Sequence, residues 1–229
     1  MSPPGYAFIN TPRVYASGDT HGGIGILYKT QIGLCLLSNL DLPDFTTFEY
    51  TVVSNISRSF YIVTVYRPTP SSVNKLKLST FLNEFEDFID CVNELPGKVL
   101  LVGDLNVHFD QPDKSDVKRV STFLTSVGMS QLVTEPTHKH KHTLDVVVTR
   151  DTDELINDIS IDCTTFTKDH FMVNCSVNLS KPQPSKAVRT FRKYRNIDHQ
   201  RFSEDLSAKM MAISQKDYAS VDDLFNDYN

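Results

Sequence analysis

Residues 98–106 read KVLLVGDLN, and this stretch decides the fold. Lys98 is followed by four consecutive apolar residues, a pattern typical of a strand that is buried on both faces. Gly103 ends the run, and Asp104 and Asn106 follow it two residues apart. Ligand sites in open α/β sheets gather at the carboxyl ends of strands, so this carboxylate and carboxamide can form part of a site. An Asx turn that only ends the strand is the alternative.

The sequence on both sides of this strand alternates between strand and helix patterns. Apolar side chains recur every three or four positions over 78–92, which predicts an amphipathic helix with Ser71 or Ser72 near its N-cap. A second helix is predicted over 115–126, ended by Gly128. Further strands are predicted at 23–29, 34–37, 47–55, 59–66, near 132, and at 144–149, 156–161 and 171–177. This order of elements predicts an α/β (α+β) domain with a mixed sheet.

Composition excludes several classes of protein. Of 229 residues, 40% are apolar and 22% are charged, and the formal net charge is −5. These values are ordinary for a globular domain and exclude a disordered, collagenous or disulfide-scaffold chain. No run of about 18 apolar residues is present, so no membrane span is expected. The four cysteines show no pairing or zinc spacing, which favours an intracellular protein with mostly buried thiols.

The charge is unevenly distributed. Residues 1–180 carry 14 basic and 21 acidic side chains, whereas residues 181–201 carry seven basic side chains and one acid. Pro182 and Pro184 mark a linker in the basic segment, and Phe202 and Leu206 lie on one face of a predicted short helix. We therefore expect a domain over 1–180, followed over 181–229 by a basic linker and a short helical segment.

Three further motifs carry side chains suited to phosphate chemistry. Asp169 and His170 precede a predicted strand, and an adjacent acid and imidazole can orient each other toward a phosphate. Asp145 interrupts an apolar strand, so it must be paired or functional if it is buried. Tyr66 and Arg67 end a strand, where a hydroxyl and a guanidinium can contact an anion. Taken singly, each motif has an ordinary structural explanation.

Two basic clusters leave alternatives open. His138, His140 and His142 would share one face if they lay on a strand, which allows a zinc site; a solvated basic loop near DNA or phosphate is favoured. Five residues of the linker can bind nucleic-acid phosphates or simply be solvated: Lys186, Arg189, Arg192, Lys193 and Arg195.

Taken together, these motifs resemble a known family. The blocks that carry the resemblance are PPGYAFINTPR (3–13), GGIGILYK (22–29), VYRPTP (65–70), LLVGDLNVHFD (100–110), FLTSVGMSQLVTEPTH (123–138), HTLDVVVTR (142–150) and KDHFMV (168–173). They are similar to the endonuclease/exonuclease/phosphatase superfamily, which has the DNase I-like fold. They are most similar to the endonuclease domain of LINE-type (non-LTR) retrotransposon polyproteins. The resemblance extends over 3–206, and RTFRKYRNID (189–198) resembles the connector toward the reverse transcriptase.

The resemblance implies a four-layer α/β/β/α sandwich of two mixed sheets and a Mg²⁺-dependent DNA endonuclease that nicks one strand. It implies no membrane and no small-molecule cofactor, a reverse transcriptase domain in the same polyprotein, and a nuclear location. The resemblance implies that Asp104 and Asn106 align or deprotonate the attacking water, and that His170 and Tyr66 bind the phosphate. It implies that Asp169 orients His170 and lies near the metal, and that Asp145 supports the network of active-site side chains.

The resemblance also implies two residues that this sequence lacks. In the family an Asn and a metal-binding Glu precede the Pro-Gly-Tyr segment, which here begins at Pro3, and no Glu precedes Glu49. We therefore expect an N-terminally incomplete domain that lacks its first strands. The alternative function is an inactive transposon-derived remnant that at most binds nucleic acid. A third hypothesis is a phosphatase that acts on a small phosphate ester or a phospholipid headgroup.

Overall fold

The computed structural model describes residues 2–13, 22–37, 40, 42–71, 74–164, 169–179 and 197–228. Its strands are β1 (Tyr6–Pro12), β2 (Gly23–Lys29), β3 (Leu34–Leu36), β4 (Glu49–Asn55), β5 (Phe60–Tyr66), β6 (Lys98–Asp104), β7 (Met129–Gln131), β8 (Asp145–Arg150), β9 (Ile156–Asp162) and β10 (Met172–Val177). Its α-helices are α1 (Leu78–Asn93), α2 (Ser115–Ser126), α3 (His199–Ser214) and α4 (Val221–Tyr228). The chain divides into two compact units, Met1–Ser180 and Lys181–Asn229.

The strand at 98–104 lies inside the main sheet, as its apolar run predicts. The sheet has the order β3-β4-β5-β6-β8-β7. Strand β6 pairs parallel with β5 and antiparallel with β8, so the sheet is mixed. Strands β4 and β5 form the predicted antiparallel hairpin. The α/β class inferred from the sequence is therefore confirmed.

One face of this sheet is covered by α1 and α2. The side chains of Phe81, Phe85, Phe88 and Ile89 on α1 are buried against it. Burying an aromatic or large aliphatic side chain contributes about 1.5–3 kcal/mol, so this stripe holds α1 in place. Helix α2 has the predicted bounds, and Gly128 follows its end with a φ of +70°.

Helix α1 begins at Leu78, as the apolar period predicts, but its N-cap differs from the prediction. Lys77 is the N-cap and makes no side-chain hydrogen bond there. Ser71 belongs instead to a separate turn, in which its Oγ accepts a hydrogen bond from the Asn74 backbone N–H at 3.2 Å. Ser72 lies outside the described residues. The serine motif therefore stabilises a local turn several residues before the helix.

The other face of the sheet is covered by two hairpins. The β9–β10 hairpin packs Ile159, Ile161 and Val173 against a smaller apolar cluster on that face. The β1–β2 hairpin contacts β4 and β5, and the hydroxyl of Thr51 donates to that of Thr11 at 2.7 Å. The active-site candidates described below lie on this face.

Within residues 2–179, the described elements form three layers: helices, the main sheet, and the two hairpins. No described helix in that range covers the outer face of β1–β2, where Phe8 is 55% exposed and Leu27 is 53% exposed. The expected second helical layer is therefore not among the described residues. The expectation of mostly buried thiols is wrong, since Cys35 and Cys163 are exposed and none of the four is buried.

The second unit contains α3 and α4. Asp198 caps α3, and its carboxylate accepts hydrogen bonds from the backbone N–H groups of Gln200 and Arg201, each at 3.1 Å. The predicted helical face is formed, with Phe202, Leu206 and Met210 about half exposed. Over the described part of the chain, the helices are all too short or too polar for a transmembrane segment.

Candidate active site

Four polar side chains form a row across neighbouring strands of the main sheet. Glu49 on β4 pairs with Tyr66 on β5, Tyr66 with Asp104 on β6, and Asp104 with Asp145 on β8. Directly paired residues in a sheet point to the same face. The row lies on the face opposite the helices, because the alternate residues of these strands pack in the helix-side core. The sheet register thus brings together residues from 49 to 145.

The turn after β6 fixes the carboxylate of Asp104. Its Oδ1 accepts a hydrogen bond from the Asn106 backbone N–H at 2.9 Å, and its Oδ2 accepts one from Asn106 Nδ2 at 3.2 Å. The same Nδ2 donates to the Arg67 carbonyl at 2.7 Å. Asn106 has a φ of +49°, a left-handed conformation that Asn tolerates better than most residues. The Asx turn that the sequence suggested is therefore present, and it holds Asp104 rigidly.

His170 lies between the two carboxylates. Its Nδ1 is 2.9 Å from Asp145 Oδ2, and its Nε2 is 3.9 Å from Asp104 Oδ2. An ionised carboxylate only accepts hydrogen bonds, so in this pair Nδ1–H of His170 is the hydrogen-bond donor and Asp145 is the acceptor. The segment just before β10 that carries His170 is held by a β-bridge between His138 and His170. The Phe171 N–H also donates to the Thr137 carbonyl at 2.7 Å.

The burial of this cluster shifts its protonation. Burial, followed by the nearby charge of Asp145, raises the pKa of Asp104 to about 6 although the Asn106 N–H opposes the shift. Burial acts to lower the pKa of His170, but its hydrogen bond to Asp145 and the charge of Asp104 outweigh it, so the pKa of His170 is raised. Asp104 is thus a proton acceptor whose pKa lies near neutrality, next to an imidazole that tends to stay protonated.

The raised pKa predicts that Asp104 destabilises the folded chain. A carboxyl whose pKa is higher in the folded state costs stability above that pKa, and the cost vanishes below the unfolded value of about 4. We expect Asp104→Asn to raise the free energy of unfolding at pH 7.5 by about 1–2 kcal/mol, with the gain lost toward pH 4. Urea denaturation at both pH values measures it. Asp113→Asn, at a fully exposed side chain, is the control and should change little; a variant less stable than the wild type at pH 7.5 would contradict the prediction.

Asp169 does not join the cluster. Its side chain is half exposed and forms an ion pair with Lys139, whose hydrogen bond lowers the pKa of Asp169. Neighbouring residues of an extended segment point in opposite directions, so Asp169 turns away when His170 turns inward. The imidazole is hydrogen bonded to Asp145, and the role of orienting His170, assigned from the sequence to Asp169, is wrong.

Arg67 is also placed differently from the prediction. It is only 3% exposed, its guanidinium lies 4.3 Å from the ring centre of Phe81, and its Nη1 donates to the carbonyls of Leu105 and Asn106 at 3.1 and 3.2 Å. The predicted contact with nucleic acid is therefore wrong. The side chain instead supports the turn that carries Asp104 from inside the protein.

Two residues near Tyr66 were not predicted as site residues: Glu49, which belongs to this row, and Arg13, which lies next to it. Arg13 forms an ion pair with Glu49 and lies 5.1 Å from the ring centre of half-buried Tyr66. The other carboxylate oxygen of Glu49 is buried and has no hydrogen-bond partner among the described residues. A contact between residues 13 and 49 leaves no local pattern in the sequence. It is visible only when β1 is packed on β4.

A second polar cluster lies next to the first. His142 Nδ1 is 3.1 Å from Asp110 Oδ2, and the rings of His108 and His142 meet edge to face with centres 4.3 Å apart. Burial, followed by the proximity of His142, lowers the pKa of His108. His138, His140 and His142 do not share a strand face, because the chain turns at Lys141, whose N–H donates to the His138 carbonyl. The zinc arrangement considered for those three residues is therefore wrong.

Two groups of side chains in the described residues have the composition and spacing to hold a metal ion: Asp104, Asp145 and His170, and His108, Asp110 and His142. The oxygens of Asp104 and Asp145 are donors that hard divalent cations prefer, so the first group fits such an ion beside a phosphate. Asp169 lies outside both groups. The basic residues Lys186, Arg189, Arg192, Lys193 and Arg195 lie outside the described residues.

Several solved structures are similar to the chain. The endonuclease domain of TRAS1, a telomere-specific non-LTR retrotransposon, matches with a TM-score of 0.55 and 13% identity over 77% of this chain and 82% of that one. The chain has the DNase I-like fold. The AP endonuclease LMAP from Leishmania major (TM-score 0.54, 13% identity, 75% and 70% covered) and an endonuclease/exonuclease/phosphatase from Bacteroides vulgatus (0.52, 11%, 77% and 77%) also match.

The DNase I-like fold confirms the architecture that the sequence blocks implied. No protein-family model and no curated protein sequence matches the chain. At these identities the structural likeness establishes the fold, and the chemistry must be argued from the residues themselves. Within the DNase I-like fold, the cluster of Asp104, Asp145 and His170 lies where strands β6 and β8 meet the loop before β10.

Proposed function

We propose that the chain is a DNA endonuclease domain of a non-LTR retrotransposon, which hydrolyses a phosphodiester bond and nicks one strand with the aid of Mg²⁺. The observation that carries this proposal is the placement of His170 between Asp104 and Asp145, at 3.9 and 2.9 Å. The endonuclease names of the TRAS1 domain and the Leishmania protein support DNA as the substrate.

In the proposed reaction Asp104 is the general base. A base works best when its pKa lies close to the working pH, and burial brings the pKa of Asp104 to about 6. The oxygen of a water molecule forms a bond to phosphorus, and Asp104 accepts the water proton. The bond from phosphorus to the leaving sugar oxygen breaks, and that oxygen keeps the electron pair and takes a proton from solvent water. Asn106 is a positioning residue, because both its backbone N–H and its Nδ2 donate to the Asp104 carboxylate.

His170 binds the phosphate in this proposal. Asp145 accepts a hydrogen bond from Nδ1–H and favours the imidazolium, which leaves Nε2–H to donate a hydrogen bond to a phosphate oxygen as negative charge develops. Tyr66, next to Asp104 in the row, offers a hydroxyl to the same phosphate. A bound Mg²⁺ would neutralise phosphate charge, with Asp104 and Asp145 as the nearest described carboxylates to hold it.

Further elements of the proposal concern the whole polyprotein. We infer that a reverse transcriptase domain follows the connector at 189–198 and that the working location is the nucleus, where genomic DNA is the substrate. The basic residues of that connector would contact the DNA backbone.

A plasmid-nicking assay tests the proposal. Supercoiled DNA is incubated with the 229-residue chain in the presence of Mg²⁺ or of EDTA. We expect Mg²⁺-dependent open circles and about a 10³-fold lower rate of nicking in the Asp104→Ala variant. Absence of nicking, or hydrolysis of a small phosphate ester without nicking of DNA, would show that the proposed function is wrong.

A further inference from the structure

The second polar cluster joins the two loops that lead to the candidate active site. His108 and Asp110 follow Asn106 in the loop after β6, and His142 lies in the loop just before β8. The loops also meet through the Phe109 N–H, which donates to the Thr143 carbonyl at 3.0 Å. The cluster therefore ties together the segments that carry Asp104 and Asp145. None of the three side chains takes part in the proposed cleavage.

The spacing of the cluster suits a tetrahedral ion. His142 Nδ1 and Asp110 Oδ2 are 3.1 Å apart, and His108 Nδ1 is 4.0 Å from Asp110 Oδ1. Ligands at 2.0–2.1 Å from a tetrahedral Zn²⁺ are separated by about 3.3 Å. The measured separations lie on either side of that value. These two distances reach different oxygens of Asp110, and one ligand atom from each of the three residues lies within 4.8 Å of the other two.

The cluster contains a nitrogen that its surroundings leave unsatisfied. His108 Nδ1 is buried and has no hydrogen-bond partner among the described residues, and a buried polar atom of this kind is costly. Asp110 is held in place, because its Oδ1 accepts the Thr143 N–H at 3.0 Å and its Oδ2 faces Gln111 Nε2 at 3.3 Å. Such outer hydrogen bonds commonly orient the carboxylate ligands of metal ions.

We propose that His108, Asp110 and His142 form a binding site for a Zn²⁺-like transition-metal ion, distinct from the candidate active site. Two imidazole nitrogens and one carboxylate favour Zn²⁺ over Mg²⁺, which prefers an all-oxygen octahedron. The three side chains are between 22% and 35% exposed, so water can reach the fourth position. A bound ion fastens the loop after β6 to the loop before β8.

The test measures metal binding and stability, so its result does not depend on nuclease activity. The metal-free 229-residue chain is titrated with Zn²⁺ by calorimetry and with Co²⁺ by visible absorption, and its melting temperature is followed with Zn²⁺, Mg²⁺ or EDTA. We expect one Zn²⁺ per chain at micromolar concentration and tetrahedral Co²⁺ bands. Micromolar Zn²⁺ should raise the melting temperature more than Mg²⁺ at the same concentration, since a ligand that binds the native state stabilises it.

Variants assign the binding to the cluster. His108→Ala and His142→Ala should weaken Zn²⁺ binding at least tenfold, whereas His140→Ala, in the adjacent turn, and Asp104→Asn should leave it unchanged. Asp110→Asn can still accept the Thr143 N–H and serves if a histidine variant does not fold; it too should lose affinity at least tenfold. The proposal is overturned if Zn²⁺ does not bind at micromolar concentration, or if binding is insensitive to these changes and is lost in Asp104→Asn.

Discussion

Replacing Gly103 by alanine is expected to destabilise the domain by about 4 kcal/mol or more, a loss seen only when a backbone or core contact is directly violated. Gly103 has a φ of +149°, and a Cβ at this position would lie 1.8 Å from the Val65 carbonyl oxygen and 2.9 Å from the Val65 nitrogen. Val65 is its partner on β5, so the clash falls on the parallel pair at the centre of the sheet. Urea denaturation followed by circular dichroism measures the loss.

Gly128 is the matched control for this prediction. It also has a positive φ, +70°, but no atom lies within 4 Å of the position that a Cβ would take. Gly128→Ala should therefore cost only about 1 kcal/mol, the penalty for the left-handed conformation. Equal losses in the two variants would show that backbone conformation, and not the contact with Val65, makes glycine necessary at position 103.

The strand and turn around Gly103 were predictable because their signals are local. A continuous apolar run predicted β6, and the Asp-x-Asn spacing predicted the turn in which Asn106 donates to Asp104. The bounds of α2 were predicted in the same way, from apolar side chains that recur at helical spacing and from Gly128, which follows the end of the helix. Each of these features depends on residues a few positions apart, and their sequence preferences agree with the final fold.

The remaining parts of the site depend on contacts between distant residues. Arg67 follows a strand, a position that favoured an anion-binding role, yet it is buried because Phe81 and two carbonyls of the turn after β6 surround it. His142 alternates with two other histidines in sequence, but it contacts Asp110, 32 residues away. Neither outcome leaves a periodic pattern, so neither could be predicted without the sheet register.

The paired roles of Asp145 and Asp169 show the same limit. The resemblance assigned the orientation of His170 to the adjacent Asp169 and gave Asp145 only a supporting role in the network. The structure brings Asp145, 25 residues away, to 2.9 Å from the imidazole, while Asp169 pairs with Lys139. Because successive residues of an extended chain face opposite sides, adjacency in sequence was evidence against a direct contact.

If the domain is a nuclease, replacing His170 by alanine should lower the rate of DNA nicking by about 10²–10³-fold, the usual cost of removing one hydrogen-bond donor from the charge that develops in the transition state. The imidazole of His170 lies between Asp104 and Asp145, and its Nε2–H can donate a hydrogen bond to an incoming phosphate. The plasmid-nicking assay measures the rate. His140→Ala is the control, because His140 lies in the neighbouring turn outside the cluster. A loss of less than threefold in His170→Ala would contradict the assigned role.

Asp145→Asn separates a catalytic imidazolium from a merely structural histidine. Its hydrogen bond and charge raise the pKa of His170, so removal of the charge lowers that pKa and the imidazole loses its proton at a lower pH. The alkaline limb of the pH–rate profile should therefore move to lower pH in Asp145→Asn. The acid limb is set by Asp104, whose pKa is about 6. It should move little or slightly to lower pH, because a neighbouring negative charge is lost. A structural role for His170 predicts a lower rate with an unmoved alkaline limb. The direction of that single limb thus tests whether the protonated imidazole, held by Asp145 beside Asp104, is the group that meets the phosphate.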